Sequence, residues 1–427
     1  MSVTAGLDLL AHEARGLLCR ITQLRPFALR IPTVAAAAAS STALAAIEGH
    51  VVRGTVELHA RVRRFLDALD QPGLSPEVAQ RRLTFLRLRF NAVLNELDLF
   101  ADALAQRSEH ALGTWLAGLD ALADDALDIP GADVEAPPIV CYVDRGLGAA
   151  VRRARTRLPT GRSNPITIIR VPRERMIGAG VASSLVHEVG HQAAALLDLV
   201  PSLRPVVRAF ATSPGASRAW ALWDRWISEI VADVWSVARV GIAAPLGLLA
   251  VVSLPAPFVF RVNGDDPHPT PWVRVRLSCA IGEALYPHPQ WAALARTWET
   301  LYPRRDLAPE TSAILRALEA SMPALVTLIA SHRPRALAGR TLAEVIVDPE
   351  RAPARIATRF AGATRGLHRA RPCEAFCALG QARADGRLAP EREARLIADL
   401  LTRWALRRVR EATPRTAARL AAHAAVH

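Results

Sequence analysis

Apolar and polar positions follow a helical period over most of this chain. Between residues 82 and 106, Leu83, Leu86, Leu88, Phe90, Val93, Leu94, Leu97, Leu99 and Leu104 fall mostly on one broad face, the mark of an amphipathic helix. Similar patterns predict helices over 111–127, 290–301, 309–321 and 390–410. The last has Pro390 at its start and Glu391 and Glu393 in its first turn, as suits a helix N-terminus. The Ala-rich stretch 32–48 is too short, and too polar at its end, to span a bilayer. The pattern changes near the middle. Ile139-Val140-Cys141-Tyr142-Val143, bounded by a proline pair and Asp144, and Ile166-Thr167-Ile168-Ile169-Arg170-Val171, between Pro165 and Pro172, are short β-prone runs. The segment 148–157 between them is helix-permissive, and a proline-free helical pattern covers 177–199. Strand, helix, strand and helix is the order of a small α/β lobe. The expected class is mainly α with that small α/β lobe, flanked by helical N-terminal and C-terminal regions. The Pro-, Gly- and acid-rich stretch 128–138 is the clearest boundary. Three regions follow: a helical domain over 1–135, the lobe over 136–300 and a helical, basic region over 301–427.

The segment 177–199 contains His187-Glu188-Val189-Gly190-His191, an H-E-x-x-H pattern. On a helix, positions i and i+4 share a face one turn apart, so His187 and His191 can bind one metal ion together. Glu188 then stands beside the metal without ligating it, where it can take a proton from an activated water. A catalytic zinc site needs a third protein ligand and an open position. The proline-free helical pattern 218–239 supplies the candidate. Glu229 and Asp233 lie at i and i+4 among aromatic and β-branched residues, where two carboxylates are costly to bury unless charge meets them. Glu229 would bind the metal, and Asp233 would accept the free ring N–H of a ligating histidine. The alternative is a solvated acidic edge.

H-E-V-G-H followed by S-E-I-V-A-D resembles the gluzincins, metallopeptidases with two histidines and a downstream glutamate on zinc. The E-x-x-A-D form is similar to the CAAX-prenyl-protease-like branch and its uncharacterised bacterial relatives. The resemblance covers about residues 137–240. It implies a zincin-like lobe, His187, His191 and Glu229 as ligands of one Zn²⁺ per chain, Glu188 as base, and Asp233 holding a histidine. Ser228 stands where thermolysin-like enzymes usually have Asn, the gap from His191 to Glu229 is longer than theirs, and the membrane spans of the prenyl-protease branch are missing. In zincins an edge strand of the lobe pairs with extended substrate. The candidate here is Ile166 to Val171, with a purely sheet-closing strand as the alternative.

Downstream, the apolar run 242–260 contains Pro245, Pro255 and Pro257, which argue against a spanning helix and for a buried, irregular connection. A proline-rich turn around His268 then opens a helix near Trp272. His268 and Arg274 are candidates for stabilising a developing oxyanion, since zinc peptidases often use a His, Tyr or Arg there. His268 is also the alternative third metal ligand, and an exposed capping turn is the plain reading.

Composition changes this picture little. Half of the 427 residues are hydrophobic, and the chain has 53 basic residues, all arginine. Residues 301–427 carry 22 arginines against 12 carboxylates, most of the net charge of +13. These arginines are interleaved with acids and few aromatics, so a solvated surface is expected in preference to nucleic-acid binding. Cys19, Cys141 and Cys279 read as small hydrophobes. Cys373 and Cys377, one turn apart, are the next candidates for a metal. Sparse cysteines and an N-terminus without a signal-peptide pattern point to a cytoplasmic protein, and no stable membrane insertion is expected. The expected activity is zinc-dependent hydrolysis of a peptide or protein substrate. The competing expectations are a catalytically inactive zincin-like scaffold and a basic nucleic-acid or membrane-surface binder.

Overall fold

The computed structural model describes residues 3–29, 33–132, 134–145, 148–176, 178, 180–211, 217–360 and 364–424. The structure is 73% helical with one small mixed sheet, mainly α with a small α/β lobe. The expected starts at Pro32 and Ile177, and Asp133 in the boundary stretch, lie outside the described residues.

The chain forms two compact units. The first comprises Met1–Ala117, Pro137–Tyr142 and Arg152–Ile168. Its helices are α1 (Val3–Leu29), α2 (Ser41–Leu69) and α3 (Pro76–Ala105). Ser40 and Ser75 cap α2 and α3 by accepting the N–H groups of Ala43 and Val78. Leu10, Leu17 and Ile21 of α1 pack with Leu58, Val62 and Phe65 of α2 and Leu83 and Phe90 of α3. Most of the expected stripe on 82–106 is therefore a core face, but Leu88 is 58% exposed and lies off it. A polar chain crosses this unit. His50 Nε2 lies 2.8 Å from Glu96 Oε2, and Glu96 Oε1 accepts the Thr160 N–H at 2.6 Å.

Helix α4 (His110–Leu127) leads out of the first unit, and its second half belongs to the second. Then come β1 (Ile139–Asp144), β2 (Ala150–Arg152) and β3 (Thr167–Pro172), in the sheet order β1-β3-β2. This corrects two expectations. Part of the helix-permissive segment 148–157 is extended and forms β2. The run Ile166, Thr167, Ile168, Ile169, Arg170, Val171 is thereby the central strand, with β1 on one side and β2 on the other. Substrate pairing needs a free edge, which belongs to β1 and β2 instead.

The second unit contains Gly118–Ala136, Val143–Val151 and Ile169–His427. It holds α5 (Gly180–Leu196), α6 (Leu199–Phe210), α7 (Ser217–Val240), α8 (Ala243–Val252), α9 (Ala256–Val259), α10 (Pro271–Leu285), α11 (Pro289–Leu301) and α12 (Pro309–Ser331). Beyond them lie α13 (Leu342–Ile346), α14 (Pro353–Arg359), α15 (Thr364–Leu367), α16 (Pro372–Ala384) and α17 (Pro390–Ala424). Residues 301–427 do not stand apart as a third region, because α12 packs on α7 and α10, and α16 on α7 and α8. The run 242–260 is also more regular than expected. Pro245 sits in the first turn of α8 and Pro257 near the start of α9, where a missing N–H costs nothing. Helix α8 is buried: Ser183 Oγ donates to the Ala244 carbonyl at 2.8 Å. Among the described residues, one helix, α12, is long and apolar enough to cross a membrane, and 39% of its most apolar window is buried.

Candidate metal centre

The site lies wholly within the second unit, where α5 crosses α7. His187 and His191 stand one turn apart on α5, and Glu229 and Asp233 face them with the same spacing on α7. Gly190 makes the crossing close. A Cβ at this position would sit 2.8 Å from the Cα of Ala232 and 3.0 Å from both its carbonyl oxygen and the Trp235 Cβ. Carbon atoms in contact normally lie about 3.5–4.0 Å apart, so no larger residue fits without parting the helices. Trp235 is itself fixed, donating its indole N–H to the Ala126 carbonyl at 2.9 Å.

Glu229 lies between the two imidazoles. Its Oε2 is 3.2 Å from His187 Nε2, and its Oε1 is 3.4 Å from His191 Nε2. The remaining ring nitrogens are engaged elsewhere: His187 Nδ1 meets Asp233 Oδ1 at 2.8 Å, and His191 Nδ1 meets Ser228 Oγ at 3.4 Å. Both Nε2 atoms therefore turn toward one point beside Glu229. The donor set is close enough to gather on one ion. With zinc–nitrogen and zinc–oxygen bonds of about 2.0–2.2 Å, neighbouring ligands of a tetrahedral ion lie about 3.3–3.5 Å apart. The separations of 3.2 and 3.4 Å are of that order, though they end on different oxygens of Glu229, and one donor atom from each of the three residues lies within 4.8 Å of the others. They exceed the 2.8 Å of the charge-assisted contact between His187 and Asp233. Two imidazoles and a carboxylate also suit zinc chemically.

Arg274 of α10 completes the arrangement. Its Nε and Nη2 donate to the two oxygens of Asp233 at 2.7 and 2.9 Å. Its Nη2 also lies 3.5 Å from His187 Nε2 and 3.9 Å from Glu229 Oε2. Glu188, Glu229 and Asp233 against Arg274 leave two negative charges in excess, the amount a divalent cation would neutralise. In the metal-free state a proton on His187 meets part of that charge. Burial alone would lower the His187 pKa, but the Asp233 charge and the hydrogen bonds to Asp233 and Glu229 push it up to about 9. Burial alone would raise both acids. Hydrogen bonds from His187 and His191 hold Glu229 far below the usual carboxylate range. The charges of Arg274 and His187 do the same for Asp233.

Beside this cluster is a cavity of about 120 Å³, enough for several waters. His187, Glu188, His268 and Arg274 line it, and Leu248 and Val251 of α8 form an apolar wall. Glu188 is 8% exposed. His268 stands at the rim, half exposed, with Nε2 3.3 Å from Glu229 Oε2 and Nδ1 2.9 Å from Asp266 Oδ1. His268 thus borders Glu229, while Glu229 is the residue that reaches both histidines. Arg274 was expected at an oxyanion, yet two of its nitrogens are committed to Asp233. Cys373 and Cys377 are free, buried thiols. Burial pushes Cys377 up to about 12 and Cys373 well above the ordinary value, which disfavours the thiolates a metal needs. Sequence reasoning missed Gly190 and the α8 wall. The glycine inside H-E-V-G-H was the visible signal for the first. The prolines of 242–260 hid the second. No known family model, characterised protein or solved structure matches the chain.

Proposed function

We propose that this protein is a zinc-dependent hydrolase that cleaves peptide bonds, as the likeness of its two motifs to the gluzincins implies. The observation that carries the reading is the clustering of one donor atom each from His187, His191 and Glu229 within 4.8 Å of one another, with Glu188 in the adjoining cavity. Those three residues would hold one zinc ion per chain, which would polarise the scissile carbonyl and lower the pKa of water beside it.

The remaining work belongs to the protein's own groups. Glu188 accepts a proton from the attacking water, whose oxygen bonds to the carbonyl carbon. It returns that proton to the amine nitrogen as the carbon–nitrogen bond breaks. Asp233 keeps the His187 ring oriented with Nε2 toward the site, and Arg274 keeps Asp233 in place. His268, at the open rim, can donate to the oxygen that gains charge. A scaffold with no turnover would have no use for a buried carboxylate at position 188. Metal analysis of the purified protein tests the assignment. Wild type should hold about one zinc per chain and a His187→Ala/His191→Ala variant none. Full zinc in the double variant would move the metal to another site.

A further inference from the structure

We propose that the first unit carries a docking groove for an acidic amphipathic helix of a partner protein. The groove runs along the outer seam of α2 and α3 and encloses about 520 Å³. Phe65, Ala68 and Leu86 form its apolar floor, and Phe85, 65% exposed, stands as a wall. Arg61, Arg64, Arg82 and Arg89 surround it. The sequence spacing explains the shape. Positions 61, 64, 65 and 68 share one face of α2, and 82, 85, 86 and 89 share one face of α3, so arginine and apolar positions recur together on both helices.

The charge of this groove is not balanced from within. Glu57 pairs with Arg61 at 2.8 Å and lies 3.8 Å from Arg89, which also donates to the Thr160 carbonyl at 2.6 Å. Arg64 and Arg82 have no ion-pair partner among the described residues. An exposed phenylalanine flanked by unpaired guanidiniums is a surface awaiting apolar groups and carboxylates together. Each helix contributes eight residues, a span of about 10 Å at 1.5 Å per step, or two helical turns. A partner helix with apolar residues at i, i+3 or i+4, and i+7, bordered by Asp or Glu, matches that length and charge. Single-stranded nucleic acid fits less well, because one exposed aromatic offers only one base platform and the floor is apolar.

The test uses the full-length protein and fluorescein-labelled synthetic peptides in an anisotropy titration. The probe is a 16-residue Glu/Leu peptide with helical leucine spacing. It is compared with a Glu/Ser peptide of equal charge and with an oligouridine of equal charge. The Glu/Leu peptide should bind at least tenfold more tightly than either comparator. Arg64→Glu/Arg82→Glu should weaken it at least tenfold, and Phe85→Ser severalfold. The control Arg296→Glu/Arg316→Glu, with the same change in net charge on the second unit, should leave it within twofold. Circular dichroism verifies that each variant keeps its helix content, and Phe85→Ser, an exposed change, covers the case in which the double reversal misfolds. Equal binding of the Glu/Leu and Glu/Ser peptides, tighter binding of oligouridine, or equal loss in the control variant would overturn the proposal.

Discussion

Replacing Gly190 with alanine tests how the two halves of the proposed metal centre are held together. The new methyl would meet the Ala232 Cα at 2.8 Å, the Ala232 oxygen at 3.0 Å and the Trp235 Cβ at 3.0 Å. Two of these atoms are backbone, and Trp235 is pinned by its bond to Ala126, so no side chain can swing aside. Helices α5 and α7 must therefore part by about 0.5–1 Å to restore ordinary carbon contacts of about 3.5–4.0 Å. The ligand cluster spans the same crossing. The contacts of Glu229 with His187 and His191, now 3.2 and 3.4 Å, would open toward about 4 Å and leave the three donors harder to gather on one ion. Overpacking of this kind costs about 1–3 kcal/mol, and the same loss at the metal lowers zinc affinity by roughly tenfold or more. Zinc affinity is read by competition with a chromophoric chelator, and stability by thermal melting of the metal-free protein. Gly190→Ala should bind zinc at least tenfold more weakly and melt lower. Wild-type affinity together with a wild-type melt would refute the argument that this crossing sets the site.

Two other perturbations have worked directions. Asp233→Asn removes the carboxylate that meets both His187 and Arg274, leaving the guanidinium buried without its main partner. It should destabilise the protein by about 3–5 kcal/mol and weaken zinc about 10- to 100-fold, and wild-type values of both would make Asp233 a bystander. In the first unit, burial lowers the His50 pKa, outweighing the hydrogen bond to Glu96 that would raise it. The folded state then binds fewer protons than the unfolded one below about pH 6.5, so this contribution is intact above that pH and is lost as pH falls through it. Urea denaturation should show wild type losing more stability than His50→Gln between pH 7.5 and 5, whereas parallel losses would contradict the assignment.

The two residue pairs were legible in the sequence because helical spacing alone aligns His187 with His191 and Glu229 with Asp233. The crossing that joins the pairs was not. It depends on Gly190 meeting Ala232, forty-two residues away, and one-dimensional spacing does not encode which helices touch. The strand at 167–172 was readable from β-branched residues between prolines. Its central place was hidden, because it depends on β2, three residues in a Gly- and Arg-rich segment with no apolar alternation. Helix α8 was misjudged because prolines were read as breakers, although those at 245 and 257 sit in first turns, where the geometry accepts them. The described residues of the boundary stretch 128–138 form no helix or strand, but the compact units divide inside α4 and within the strands, where contacts and not composition decide.

The central claim is that Glu188 moves the proton in a zinc-dependent hydrolysis while others hold the metal. The direct measurement is cleavage of an unstructured protein substrate by wild type and Glu188→Gln, each brought to the same measured zinc content. The account predicts equal zinc, equal melting temperature and a loss of at least about 10²-fold in kcat/KM for the variant. Equal cleavage by both proteins, or cleavage by neither at full zinc occupancy, would contradict it.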